Sequence, residues 1–270
     1  MQSLSIVGCG WLGLSLAEQL QSLGYAVRGC SRNPDTLAYL AQLGIPAYTL
    51  DIDEQLECDD LPGLLQAQVL FVNVPPGRSP SARPYAERMS MLAEAAWAHG
   101  IRQVVFVSST AVYANGEQVD EQSALDASPR AAQMQEAEQV FVRRFGDGVT
   151  ILRPAGLVGG ERHPGRFLAG REGLPGAAAP VNLVHRDDVI GAVIRVLEAQ
   201  AFGQVFNLSA PHHPSRGEFY PHAAKALGLE PPQFSDEPMA VKRVLGQRIV
   251  DQLGFSYRYP DPMTMPPLSA

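Results

Sequence analysis

Lysine is almost missing from this chain: Lys225 and Lys242 are the only two in 270 residues, and Lys plus Arg number 21 against 28 Asp plus Glu. The net charge of -7 argues against general nucleic-acid or anionic-membrane binding, which needs a basic face. Cysteine is scarce too. Cys9, Cys30 and Cys58 are odd in number and far apart, with neither a disulfide framework nor zinc spacing, which points to a reducing compartment and to no metal site. No run approaches the roughly 18 apolar residues that a membrane span requires. No basic start with a long apolar stretch precedes the strand-like run at Leu4, so a cytoplasmic location is the expectation. There is no internal repeat and no low-complexity tract.

What is present is an ordinary globular composition, 46% hydrophobic and 18% charged, over a length that suits an α/β domain with a smaller lobe. Apolar strands at Leu4–Val7, Tyr25–Cys30, Ala47–Leu50, Val69–Val74, Val104–Ser108 and Thr150–Leu152 alternate with helical patterns. Leu12, Leu16, Leu20 and Leu23 mark one helical stripe, Asn33-Pro34 an N-cap and first helical position, and Pro84–His99 and Pro129–Phe145 two long helices. Continuously apolar strands alternating with helices predict a doubly wound α/β fold around a parallel sheet. Residues 1–155 form the expected dinucleotide-binding domain. Residues 156–270 form a smaller substrate-side lobe, with 181–209 returning to the sheet.

The second half is less regular. Residues 51–60 read as a solvated acidic loop and 156–180 as a long Gly/Pro-rich loop. Asp187–Ala199 reads as a helix, Val205–Leu208 as a late strand and Ser215-Arg216-Gly217-Glu218 as a capping box. Val241–Leu253 reads as a further helix, and the Pro-rich tail after it as a surface segment.

Gly8-Cys9-Gly10-Trp11-Leu12-Gly13 is the strongest signal, because it follows an apolar strand and opens a periodic helix. In that context Gly8 permits the tight turn, Gly10 lets backbone approach a pyrophosphate and Gly13 brings helix and strand together. Amides from Gly10, Trp11 and Leu12 would then meet the diphosphate at the positive end of the helix. An NAD site usually carries an acid at the end of the second strand; here Gly29-Cys30-Ser31-Arg32 has none before Asp35. Arg32 and Ser31 suit a 2′-phosphate, so NADP(H) is expected over NAD(H).

With these pieces go Val107-Ser108-Ser109-Thr110-Ala111-Val112-Tyr113, Leu152-Arg153-Pro154-Ala155-Gly156, Asn182-Leu183-Val184-His185-Arg186-Asp187-Asp188-Val189 and Phe206-Asn207-Leu208. In order and spacing the chain resembles the extended short-chain dehydrogenases/reductases, the NAD(P)-dependent epimerase/dehydratase group. Its G-x-G-x-x-G in place of G-x-x-G-x-x-G is similar to an atypical subgroup. The resemblance implies Ser109 (with Thr110 as neighbour) as the catalytic hydroxyl and Asn73, Val74, Pro75, Ser108 and Pro154 beside the cofactor. It also implies a small-molecule substrate and possible pairing of two copies through the two long helices.

One departure matters more. The family's acid–base chemistry needs Tyr-x-x-x-Lys on the helix after strand five, where this chain has Arg130 and Met134. Neither can exchange a proton at neutral pH. No Tyr lies between Tyr113 and Tyr220, so register cannot restore the pair. Tyr113 is the nearest substitute in sequence. His185 either reaches substrate or belongs, with Asp188, to a capped helix start; Arg166 and Arg171 either grip an anion or are solvated. His212-His213, between prolines, reads as loop. Two functions follow from the resemblance: an atypical NADP(H)-dependent oxidoreductase or epimerase-like enzyme, and an inactive NADP(H)-binding sensor.

Overall fold

The computed structural model describes residues 2–77 and 83–266. Its strands are β1 (Ser3–Val7), β2 (Ala26–Ser31), β3 (Ala47–Ile52), β4 (Leu56–Cys58), β5 (Val69–Val72), β6 (Gln103–Val107), β7 (Gly116–Val119), β8 (Val149–Pro154), β9 (Gly156–Val158), β10 (Leu183–His185), β11 (Val205–Leu208) and β12 (Lys242–Val244). The helices are α1 (Trp11–Ser22), α2 (Pro34–Gln42), α3 (Leu61–Leu64), α4 (Tyr85–Ala98), α5 (Pro129–Phe145), α6 (Gly165–Leu168), α7 (Arg186–Ala199), α8 (Arg216–Ala226) and α9 (Gln247–Leu253). Among the described residues no helix is long and apolar enough to cross a membrane.

Eight strands form one sheet in the order β11-β8-β6-β5-β1-β2-β3-β4. β1 pairs in parallel with β2 and β5, β2 with β3, β5 with β6 and β6 with β8; β4 turns back antiparallel on β3. The chain builds outward from β1 to β3, then crosses back to lay β5, β6 and β8 on the other side. This is the doubly wound α/β arrangement that the alternation predicts. Ligands in such sheets bind outside the carboxyl ends of the strands where the order reverses, here at β1 and β5.

Two compact units divide the chain. The first comprises Met1–Ser108, Ala127–Leu152 and Val196–Val205. Its strands bury Leu70, Val72, Val104 and Phe106, and α4 and α5 cover them with Tyr85, Met89, Leu92 and Phe141. Phe106 and Phe141 lie 4.8 Å apart between ring centroids, and Trp97 meets Phe145 edge-on at 5.7 Å. Those rings contribute both apolar area and favourable geometry. On α1 the buried stripe is Leu12, Leu16 and Leu20; Leu23 is instead the C-cap residue and 55% exposed, since the stripe has rotated outward by the helix end. α2 opens as its sequence predicts, the Asn33 side chain accepting from the Asp35 amide with Pro34 at the first position.

The second unit comprises Ser109–Asp126, Arg153–Arg195 and Phe206–Ala270. It holds two small parallel pairs, β9 with β10 and β7 with β12, and a compact core that includes Val158, Val181, Leu183 and Phe219. α8 starts on the expected capping box, Ser215 and Glu218 bonding each other's backbone amides.

Four local expectations need correction. The acidic stretch 51–60 carries β4, because Leu56 alternates onto the core side of a hairpin with β3. The Gly/Pro-rich stretch contains β9 and the single turn α6, too short to leave a periodic signal. The expected helix Val241–Leu253 is β12 followed by α9, broken at Gly246, whose Cβ would stand 2.5 Å from the Ser209 carbonyl oxygen. The tail is not a surface segment up to Pro266: Phe255 and Pro262 are buried, and the Arg258 and Tyr259 amides donate to Asp188 at 2.6 and 3.2 Å. Its last four residues lie outside those described.

Candidate functional site

The turn from β1 into α1 is built from contacts that only glycine permits. Gly8 has φ +102°, and a Cβ there would lie 2.6 Å from the Asn73 carbonyl oxygen. A Cβ on Gly13 would stand 2.3 Å from the Gly8 carbonyl oxygen, so α1 rests on the end of β1 through that glycine. Gly10 differs: it is the N-cap at φ -85°, and a Cβ added to it meets nothing within 4 Å. The first-turn amides of a helix have no intrahelical acceptor, and Gly10 has no side chain to supply one. The result is a row of N–H donors at the positive end of a helix beside open space, which suits a diphosphate. Trp11 is half-buried and Leu12 buried, so these two could serve a ligand through backbone amides.

A cavity of about 460 Å³ opens in the first unit over the carboxyl ends of β1, β2 and β3 and the segment after β5. Among the residues expected from sequence, Gly8, Gly10, Ser31 and Arg32 line it. So do Asn73, Val74 and Pro75. The Tyr85 hydroxyl, itself buried, donates to the Val74 carbonyl at 2.6 Å and fixes that segment from beneath.

The same cavity contains three charged residues that sequence reasoning missed, Asp51, Asp53 and Arg88. Arg32 Nη1 lies 3.7 Å from both Asp51 and Asp53, with its side chain 68% exposed. Arg88 is 5% exposed; its guanidinium donates to the Pro76 carbonyl and lies 3.5 Å from Asp53. Two guanidiniums therefore face two carboxylates. The Arg32 pairs are long and solvated, the kind worth about 0–1 kcal/mol, so an incoming phosphate can displace them. Burial pushes the Cys9 thiol up to about 12 and raises that of Cys30, leaving both as inert packing beside the turn.

Ser108 directly follows β6 and is 6% exposed, its hydroxyl donating to the buried Glu138 carboxylate on α5. It is not among the residues lining the cavity. On the same helix Arg130 is exposed and Met134 packs against the apolar core, so neither position holds an ionisable group turned to catalysis.

Ser109, Tyr113 and Pro154 belong to the second unit. Ser109 is half-buried and caps a short 3₁₀ turn, Thr110–Val112, its Oγ accepting from the Ala111 amide at 3.1 Å. That bond uses a lone pair and leaves the hydroxyl proton able to donate. Tyr113 is 1% exposed; its hydroxyl accepts from Arg153 at 2.6 Å and donates to Asn207 at 2.8 Å. The Arg153 guanidinium also sits 4.9 Å from its ring centroid, and Lys242 donates to its carbonyl. Burial raises the Tyr113 pKa, with Arg153 opposing. Pro154 is buried at the end of β8.

The remaining candidates have structural partners. His185 Nδ1 accepts from the Asp187 amide at 3.2 Å, which is the capped helix start, while Asp188 turns to the tail amides. His212 contacts Asp261 at 2.8 Å and His213 the Val181 carbonyl at 3.1 Å, as a loop reading implies. Arg166 and Arg171 are exposed.

The NAD(P)H-binding family matches residues 8–200. Protein YeeZ of Escherichia coli (strain K12) is 40% identical over 273 residues, spanning 98% of this chain and 99% of that protein. A UDP-N-acetylglucosamine 4-epimerase from Bacillus cereus superposes with a TM-score of 0.77 at 14% identity, covering 96% of this chain and 95% of that one. A short-chain dehydrogenase/reductase superfamily protein from Agrobacterium tumefaciens with bound NAD gives 0.77 at 19%, covering 97% and 94%. At these identities the solved structures show a shared fold.

Proposed function

The chain belongs to the NAD(P)H-binding family, and on that premise we propose that it is an NADP(H)-dependent oxidoreductase acting on a small carbonyl-, hydroxyl- or sugar-type substrate without a Tyr-x-x-x-Lys pair. One observation carries the cofactor reading: the Gly10 amide end of α1 opens onto a cavity whose β2 rim presents Ser31 and Arg32 and no acid. The amides of Gly10, Trp11 and Leu12 bind the diphosphate. Arg32, helped by Ser31, exchanges its two long carboxylate pairs for charge-assisted bonds to the 2′-phosphate, which are shorter and roughly twice as strong as neutral ones. Asn73, Val74 and Pro75, held by Tyr85, flank the bound group, and Ser108 and Pro154 are assigned to the same binding role.

When bound, the nicotinamide supplies or accepts the hydride; the protein orients it and polarises the substrate oxygen. We assign that polarisation to the Ser109 hydroxyl, whose proton is not spent on its turn. Tyr113 is read as the group that holds Arg153 in place. A raised pKa and two fixed partners keep its hydroxyl protonated at neutral pH, so any proton it transfers must be relayed.

The second reading, an NADP(H)-binding sensor, rests on Arg130 and Met134. The test is NADPH oxidation against a panel of aldehydes, ketones and nucleotide sugars. Turnover that disappears in Ser109→Ala while NADPH affinity stays within about twofold supports the enzyme. Tight NADPH binding without turnover across the panel supports the sensor, and no binding at all removes both.

A further inference from the structure

The second unit contains a separate cavity of about 310 Å³, near the lower end of the roughly 300–1,000 Å³ typical of small-molecule sites. Val158, Phe219, Met263 and Met265 supply apolar walls, and the lining includes three histidines, the exposed His222 and the buried pair His163 and His185, but no Asp or Glu. The two imidazoles are 7% and 5% exposed. His163 Nδ1 accepts from the Gly165 amide at 3.0 Å and His185 Nδ1 from the Asp187 amide at 3.2 Å. An imidazole that accepts at Nδ1 carries its proton on Nε2. Burial keeps both histidines below their usual range, so the neutral rings present N–H donors.

Among the described residues neither Nε2 atom has a hydrogen-bond partner. Gly159 keeps the His185 edge uncovered: at φ +119° its Cβ would stand 2.7 Å from His185 Nε2. The Tyr259 ring, 4.1 Å away between centroids, fixes the imidazole plane. Both N–H groups open onto the cavity and are not sealed from solvent. A ligand entering past the apolar walls therefore meets two donors and no acidic lining residue, and must itself bring the acceptor. Charge around the two rings includes more cations than anions: Arg166 acts on His163, and at His185 the Asp187 carboxylate, the stronger single influence, is opposed by Arg186 and Arg258.

We propose that this cavity binds a small carboxylate with an apolar body, its oxygens accepting from Nε2–H of His163 and His185 and its body lying along Phe219, Met263 and Met265. The site uses no residue of the glycine turn, so it stands or falls separately from the cofactor reading.

The test uses the full chain with 13C-methyl methionine, titrated with 3-phenylpropionate and hexanoate and, in parallel, with their primary amides. Saturable shifts of the Met263 and Met265 methyl signals are expected for the acids, with the amides at least about tenfold weaker. His185→Asn keeps an acceptor near the Nδ1 position but loses the distal N–H, and should weaken the acids about tenfold or more. His185→Gln restores a distal N–H and should recover much of that loss. Thermal melting and NADPH affinity, read on the same samples, report whether each variant folds. No saturable shift for either acid overturns the site. Equal binding of acids and amides, or an unchanged affinity in a folded His185→Asn, overturns the carboxylate assignment.

Discussion

A methyl group placed at Gly10 or at Gly13 perturbs one turn in opposite ways. At Gly13 the new carbon would stand 2.3 Å from the Gly8 carbonyl oxygen, in the turn just after β1, and 3.2 Å from Ile6 Cγ2 in β1 itself. Ordinary contact needs about 3.4–4 Å, so helix and strand must separate by about 1 Å. Overpacking of this kind costs about 1–3 kcal/mol, only partly offset by the better helix propensity of Ala. For a chain of this size that is a fall in Tm of roughly 2–10 °C. At Gly10 nothing lies within 4 Å and the backbone is at φ -85°, so Ala fits. Its loss as an N-cap and its gain from a stiffer unfolded chain are both about 0.5–1 kcal/mol and nearly cancel. The Gly10 methyl instead fills the approach to the first-turn amides. Losing one charge-assisted hydrogen bond, about 1.5–3 kcal/mol, weakens NADPH binding by roughly ten- to a hundred-and-fifty-fold, and losing a second multiplies that loss again. Differential scanning calorimetry and NADPH fluorescence titration on both variants read the two effects. Gly10→Ala with wild-type affinity, or Gly13→Ala with a wild-type Tm, would refute the reasoning.

Asp51→Asn removes one of the carboxylates facing Arg32 and should tighten NADPH by about two- to fivefold while leaving NADH nearly unchanged; titrations with both coenzymes check this. The folded-state pKa values of His163, His185 and His213 are lowered, chiefly by burial, so the fold binds fewer protons there than the unfolded chain. Stability from these groups is therefore complete above their unfolded value near 6.5 and declines as pH falls below it. Urea midpoints from pH 7.5 to 5 should fall, and His213→Asn should flatten the slope; a slope unchanged in that variant and in His185→Asn contradicts the assignment.

Much of the first unit was legible because its signals are local. The apolar runs of β1, β5 and β6, the Asn33-Pro34 start and the glycine turn each carry their physics within a few residues. What stayed hidden is set by distant partners. β12 exists because Lys242 and Val244 pair with Gly116 and Val119, more than a hundred residues earlier, and three-residue strands leave no period to read. Asp51 and Asp53 looked like part of a solvated loop, yet β3 pairs beside β2 and delivers both to Arg32. In the second unit, the histidine-lined cavity assembles residues from 158 to 266, and Met263 and Met265 in the tail gave no sequence cue to a role. The break in helical periodicity at Gly246 was a signal available to sequence reading, since Lys242-Arg243-Val244 before it suits an edge strand better than a helix.

The most direct measurement is isothermal titration of the pure, folded chain with NADPH and NADH, repeated on Arg32→Ala. Saturable binding of both, with NADPH tighter by about tenfold or more and that advantage lost in Arg32→Ala, is the expected result. Heat from neither coenzyme contradicts the diphosphate cradle, and equal affinities that Arg32→Ala leaves unchanged contradict the 2′-phosphate assignment.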